Sequence, residues 1–268
     1  MGIINWNTEL LPYEQAVDEI VLKLRNVQRE FKRAQVHSPI EQVEGRVKSI
    51  ASLLAKANSR NIPIDNALDV LEDIAGIRII CRFVEDIPKV VNIIRSRSDY
   101  DMKIIQEEDY ITNTKSSGYR SYHITIEYKL MFENEVRILK CEIQIRTLAM
   151  NFWATIEHSL RYKYDGNLPE DLKIRLQNCA EAAFQLDNEM TTIRGELLQA
   201  QKTMRTQEFL VNEIVKNIHN LYAYAKVEHM NDFNKEFMEI YQDGNVEKLS
   251  EFNNKLETMA EIYNVRYV

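Results

Sequence analysis

Apolar residues recur at helical spacing between about 9 and 34, at Ala16, Ile20, Leu24, Val27 and Phe31, and predict an amphipathic helix. It closes on a basic cluster, Arg25, Arg29, Lys32 and Arg33, and a turn-like HSPI. A second helix is predicted over about 43–60. The run IRIICRFV (77–84) reads as a strand and DIPKVVNIIRSR as a short helix. Further strand-like runs lie near 102–107, in SYHITIEYKL (121–130) and in VRILKCEIQIRT (136–147), the last two joined by the polar FENE and therefore an antiparallel pair. LAMNFWATIEHSLRYKY (148–164) is an amphipathic helix. Pro169 opens a long helix to about 203, and three further helices are expected from FLVNEIVKNIHNLYAYA, FNKEFMEIY and LSEFNNKLETMAEIY. The pattern predicts an α+β domain over 1–200, with a mixed, mainly antiparallel sheet of four to five strands flanked by helices. An all-helical extension covers 201–268.

Composition changes this picture little. The 268 residues carry a formal charge of −7, with 45% apolar and 28% charged residues, which excludes a collagenous or disordered chain. Three scattered cysteines, Cys81, Cys141 and Cys179, suit neither a disulfide framework nor a zinc site. With no signal peptide and no apolar run of membrane-spanning length, a cytoplasmic protein with no membrane association is expected. Neither G-x-x-x-x-G-K-[ST] nor G-x-G-x-x-G occurs, and H-E-x-x-H and C-x-x-C are missing too.

Local charge says more than the total. Between Gly45 and Asn61 stand four bases and no acid. Lys48, Ser52 and Lys56 recur every four residues, so on a helix they line one side, with Arg46 at its start. An ordinary solvated face explains that; an anion site for a polyphosphate also does. Alternation in the strands puts Arg78 and Arg82 opposite Ile77, Ile79, Cys81 and Phe83. His123 and Thr125 stand opposite Ile124 and Ile126, and Glu142, Gln144 and Arg146 opposite Cys141, Ile143 and Ile145. One sheet face is apolar and the other mixes guanidinium, imidazole, amide and carboxylate, as a polar ligand demands. Asp73 before the first predicted strand and Glu142 are two carboxylates available for Mg²⁺. KSSGYRSYH offers Tyr119 to stack on a base, with Arg120 and His123 beside it, and Asn151 and Glu157 could complete a base or ribose pocket. The residues together point to a magnesium-dependent nucleotide or phosphoryl-transfer site.

The tracts GRVKSIASLLAKA, DIAGIRIICRF, TKSSGYRSYH, EIQIRTLAMNFWATIEHSLRYKY and LDNEMTTIRGEL resemble the synthetase domain of RelA/SpoT-type alarmone enzymes. The likeness is greatest to small synthetases of the RelQ kind and runs from about 9 to 200. It implies a nucleotidyltransferase-like domain that transfers pyrophosphate from ATP to the ribose 3′-hydroxyl of GDP or GTP. The products would be AMP and ppGpp or pppGpp. It further implies ATP binding by Arg46, Lys48, Ser52, Lys56 and Arg78, with the two arginines around adenine. Asp73 and Glu142 would hold Mg²⁺, and Glu142 would activate the hydroxyl. Tyr119 would stack on guanine, with Lys115, His123, Gln144 and Asn151 around the acceptor. The bifunctional relatives' hydrolase, built on a His-Asp pair, is not expected, since no such dipeptide occurs.

The resemblance also implies a homo-oligomer, a tetramer, in which some members bind pppGpp or single-stranded RNA. Gln42 and Glu44 stand where relatives often carry Phe and Thr, and the extra carboxylate argues against activation by pppGpp. Arg25, Arg29, Lys32 and Arg33 could contact RNA, but a solvated helix face is the preferred reading. A regulator that binds nucleotide or RNA on the same fold, with little catalysis, remains the alternative to an active synthetase.

Overall fold

The computed structural model describes residues 5–163, 168–225 and 230–263. The chain forms two compact units, Met1–Thr191 and Thr192–Val268. The first opens with α1 (Trp6–Arg33), which buries Leu10, Tyr13, Ala16, Val17, Ile20, Val21 and Leu24. The spacing that predicts the helix is the spacing that packs it. Two bases of its cluster are engaged within the chain: Arg25 donates to the Val43 carbonyl at 3.2 Å and Arg29 to Asn26 at 3.1 Å.

The helix predicted over 43–60 is corrected at its first half. Residues Gln42–Val47 form an edge strand, β1, and the helix α2 spans only Ile50–Ser59. Gly45 shows why a strand fits there: a Cβ would lie 2.4 Å from Val17 Cγ1 and 2.7 Å from Val21 Cγ2, so α1 runs hard against β1. Ser49 then caps α2, its hydroxyl accepting the Ser52 N–H. A short helix, α3 (Ala67–Val70), precedes β2 (Ala75–Cys81). After α4 (Ile87–Arg95) come β3 (Met102–Asp109), β4 (Tyr122–Phe132) and β5 (Glu135–Thr147). β5 leads directly into α5 (Leu148–Lys163); Tyr164, the last residue of the predicted helix, lies outside the described residues.

The strands form one sheet in the order β1-β2-β5-β4-β3. Only β2 and β5 run parallel; the other pairs are antiparallel, including the predicted β4–β5 hairpin. That hairpin turns on Glu133 and Asn134, with φ of 48° and 67°, the two positive values a two-residue turn of this hand requires. Ile77, Ile79, Ile124, Ile126, Cys141, Ile143 and Ile145 are all buried, in one core with the inner stripe of α1 and with Val90, Val91 and Ile94 of α4. Burial pushes the Cys141 thiol up to about 12 and the Cys81 thiol higher still, so both are inert, while Cys179 is exposed. A bulge between Ile104 and Gln106 switches the parity of β3. Met102 and Ile104 thereby pair with residues of the apolar face, whereas Gln106 and Glu108 pair with Thr125 and His123 of the polar one.

α6 (Glu170–Asn220) starts in the first unit and continues into the second without the expected end near 203. No proline or glycine interrupts Glu196–Asn220, and the polar stretch that breaks the apolar pattern consists largely of good helix formers. α6 ends in a π-helical turn, Leu221–Ala225, and among the described residues two further α-helices follow rather than three, α7 (Met230–Asp243) and α8 (Val246–Ile262). Ile214, Ile218, Leu221, Phe233, Phe237, Leu249, Phe252 and Leu256 form their shared core, which encloses an Asn217–Asn253 hydrogen bond of 3.0 Å.

Candidate active site

Strand register lays the polar face out in two rows. Glu44, Arg78, Gln144, His123 and Glu108 face each other across β1, β2, β5, β4 and β3. The next row is Arg46, Gly76, Glu142, Thr125 and Gln106. Period two aims both rows away from the apolar core. Gly76, without a side chain, leaves Glu142 uncovered on its β2 side. A cavity of about 330 Å³ is lined by Arg46, Lys48, Asp73, Arg78, Glu142 and Gln144. A second, of about 440 Å³, is lined by Lys56, Arg60, Asp73, Tyr110, Lys115, His123 and Glu142, among others. Asp73 and Glu142 border both.

The first half of the site is a cation cluster folded around Asp73. The Lys48 N–H donates to the Ile74 carbonyl at 2.8 Å, extending the β1–β2 ladder by one residue and setting Lys48 beside Asp73. From α2, Lys56 reaches the same carboxylate. Both ammoniums donate to Asp73 Oδ2, while Oδ1 is buried and has no partner. Burial works to raise the Asp73 carboxyl, but the two lysines outweigh it and hold it below the usual carboxylate range. Burial also lowers Lys48. Arg78 is lowered by burial and by the neighbouring charges of Arg146 and Arg46. Ser52 sits in the first turn of α2, its hydroxyl 2.8 Å from that of Ser49, and lines neither cavity. Lys48 therefore precedes α2, so the expected single helix face is instead a strand end plus a helix.

The second half is a closed circuit of hydrogen bonds. His123 Nδ1 lies 3.0 Å from Glu142 Oε1, and Gln144 Nε2 donates to Glu142 Oε2 at 2.7 Å. Arg146 Nη2 donates to Gln144 Oε1 at 2.7 Å and to the Tyr119 hydroxyl, which lies 2.8 Å from His123 Nε2. Burial raises the Glu142 carboxyl, yet the bonds from His123 and Gln144 prevail and keep it low, so it is ionised at neutral pH. Lys115 places its ammonium 3.9 Å from the Tyr110 ring centroid and 5.3 Å from that of Tyr119. The loop bearing Tyr119 is pinned to α6: Gly118, at φ 86°, has no room for a Cβ, which would fall 2.6 Å from Ala180 Cβ. Arg120 donates to Glu181 at 2.7 Å and to the Ala180 carbonyl at 3.4 Å.

Asn151 stands in the first turn of α5 with a buried, unpartnered Oδ1 and lines neither cavity. Glu157 is bonded to Arg161 at 2.7 Å within α5 rather than joining the pocket. Arg146 and Tyr110 also border the site, although neither stands out among the candidate residues of the sequence. Alternation in EIQIRT puts Arg146 on the polar face, the one signal available for it; Tyr110 carried none.

Among the described residues no group of three or more His, Cys, Asp and Glu could hold a metal. Asp73 with its partnerless Oδ1, and Glu142 across the cavity, nevertheless fit a cation that takes one or two carboxylates and completes its shell with phosphate oxygens and water, as Mg²⁺ does. No helix among the described residues is long and apolar enough to cross a membrane.

Residues 45–167 match the family described as the region found in RelA / SpoT proteins. GTP pyrophosphokinase YjbM of Bacillus subtilis is 50% identical over 196 residues, 73% of this chain and 92% of that protein. The small alarmone synthetase 1 of Bacillus subtilis bound to its product pppGpp superposes with a TM-score of 0.68 at 50% identity, covering 71% of this chain and 97% of that one. The same synthetase bound to AMPCPP gives 0.64 at 45% identity over 72% and 98%. The chain belongs to the RelA/SpoT family and, within it, to the small alarmone synthetases.

Proposed function

We propose that this chain is a GTP pyrophosphokinase that moves the β,γ-pyrophosphate of ATP to the ribose 3′-hydroxyl of GDP or GTP. The observation that carries this reading is Glu142. It is a half-buried, ionised carboxylate between a cation cluster and an aromatic-walled pocket, with both oxygens oriented by neighbours. Likeness to a relative named GTP pyrophosphokinase, and to one solved with pppGpp and with AMPCPP, supports it.

In this reading Arg46 and Arg78 flank adenine, and Lys48, Ser52 and Lys56 bind the triphosphate. Tyr119 stacks on the acceptor's guanine, and Lys115, His123, Gln144 and Asn151 surround that nucleotide. The 3′-hydroxyl oxygen attacks the β-phosphorus, its proton passes to Glu142, and the bond from that phosphorus to the oxygen of AMP breaks. Alignment of hydroxyl and phosphorus supplies most of the advantage, because phosphoryl transfer asks for little covalent chemistry. Lys48 and Lys56 offset charge on the phosphate chain. Asp73 and Glu142 are the residues that would hold Mg²⁺, which when bound neutralises charge on the phosphate oxygens.

The reading is tested with Glu142→Gln, which keeps the shape and one acceptor oxygen but removes the base. The native chain should form ppGpp from ATP and GDP, and the variant should stay folded, with a modestly lowered melting temperature from one lost circuit bond, yet lose at least about 10³-fold in kcat. Near-native turnover by the variant would remove Glu142 from the chemistry.

A further inference from the structure

The circuit around Glu142 contains one residue, Arg146, that neither receives the proton nor contacts ATP. Arg146 is 5% exposed, and among the described residues no carboxylate lies within ion-pair distance of it. Its acceptors are neutral: the Ser121 hydroxyl at 3.2 Å, the Gln144 amide oxygen at 2.7 Å and the Tyr119 hydroxyl. Ser121 is fully buried and itself anchored on the Ile145 carbonyl at 3.3 Å. A guanidinium held in the interior with neutral partners alone is costly, and a hydrophobic residue at this position of β5 would pack as well. Its neighbour Arg78 adds repulsion.

We propose that Arg146 is a positioning residue for the acceptor nucleotide, fixing the single orientation in which Gln144, Tyr119 and His123 meet both guanine and Glu142. The inference rests on the synthetase reading for the identity of that nucleotide. Its physical basis is that a guanidinium donates and cannot accept. Facing Arg146, Gln144 must turn its oxygen toward the guanidinium, which aims its NH₂ at Glu142. Facing the same group, the Tyr119 hydroxyl accepts from Arg146 and must send its own proton to His123 Nε2. His123 then carries its proton on Nδ1, where it donates to Glu142 Oε1. Two arms, one through an amide and one through a phenol and an imidazole, thus leave Arg146 and end on the two oxygens of Glu142. Without the guanidinium the amide is free to flip and the phenol proton to turn away, and each change sets acceptor against acceptor. The planar fork reaches Ser121, Gln144 and Tyr119 at once; a lysine ammonium on a flexible stem does not hold three acceptors in that plane.

The test compares Arg146→Ala and Arg146→Lys with the native chain in calorimetric titrations of GDP and of AMPCPP, in steady-state kinetics, and in chemical rescue. Two charge-assisted hydrogen bonds are worth about tenfold each, so kcat/KM for GDP should fall about 100-fold in Arg146→Ala, with GDP affinity weakened and AMPCPP affinity unchanged. Methylguanidinium at millimolar concentration should restore a large part of the loss, and methylammonium should not. Arg146→Lys, which keeps charge and stem and guards against a folding failure of the alanine variant, should stay closer to Arg146→Ala than to the native chain. Native GDP affinity in Arg146→Lys, equal losses for GDP and AMPCPP, or rescue by methylammonium as effective as by methylguanidinium would each overturn the proposal. A native chain that makes ppGpp while Glu142→Gln does not keeps the synthetase reading standing whatever Arg146 does; the calorimetry decides on Arg146 even if no turnover is found.

Discussion

The two halves of the site are built on opposite principles. Around Asp73 two long, half-exposed lysines from different elements converge on one carboxylate oxygen while the other stays unpartnered. At the other side Glu142 and four partners, His123, Gln144, Arg146 and Tyr119, close a circuit in which Arg146 Nη2, Gln144 Nε2 and the His123–Glu142 contact tie each member to the next. The first arrangement has surplus donors and can exchange partners: lysine ammoniums rotate, and a polyphosphate offers them more acceptors than Asp73 does. In the second each member orients the next, so a change in one disturbs the rest. A polyphosphate can be gripped by a cluster that rearranges, whereas a single hydroxyl has to meet a base already in place. The donor half is therefore expected to be adaptable and the acceptor half preorganised.

After Glu142 and Arg146, substitution of the cluster lysines gives the largest expected effect. Lys48→Met leaves Lys56 to hold Asp73, so the fold should persist, while the KM for ATP rises about 10- to 100-fold from loss of charge-assisted phosphate contacts. The KM for GDP should change little; equal effects on both substrates would erase the division between the halves. Gly118→Ala probes the other side. Its Cβ would meet Ala180 at 2.6 Å and the backbone is in the left-handed region, so the loop carrying Tyr119 must shift, at a cost of about 1–3 kcal/mol in stability. Its KM for GDP should rise with that for ATP unchanged, and an unaltered GDP constant would show that the acceptor half is not preorganised by its contact with α6.

The smallest effect concerns Asp187, buried beneath the β5–α5 junction and accepting from the Thr147 hydroxyl at 2.5 Å. Burial raises its carboxyl, with the Thr147 bond partly opposing. A carboxyl raised in the folded state loses stability as pH climbs from the unfolded value through the folded one. Asp187→Asn removes that loss, so its melting temperature relative to the native chain should improve as pH rises from about 4 and level off once the raised folded-state carboxyl has ionised. A difference that stays flat over this range would place Asp187 at an ordinary carboxylate value.

Legibility in the sequence followed the same division. Alternation in β2, β4 and β5 gave the correct faces for Arg78, His123, Glu142, Gln144 and Arg146, because a two-sided sheet imposes period two on both its apolar and its polar residues. The cation cluster is legible only in part. Lys48, Ser52 and Lys56 do recur at helical spacing, but QVEGRV carries one buried residue, Val43, too little apolar signal to announce an edge strand. What makes it a strand is pairing with β2 and the room Gly45 leaves for α1, both long-range. The bulge at Ile105, the circuit through Arg146 and the continuation of α6 past 203 depend likewise on partners distant in sequence or on the lack of any stop signal.

The most direct measurement follows the atoms. The purified chain is incubated with ATP labelled at its β- and γ-phosphates, with GDP and Mg²⁺, and the products are separated. Transfer of an intact pyrophosphate predicts AMP and ppGpp in equal amounts, with both labels in ppGpp. ADP and singly labelled products, or firm binding of both nucleotides with no AMP formed, would contradict the account.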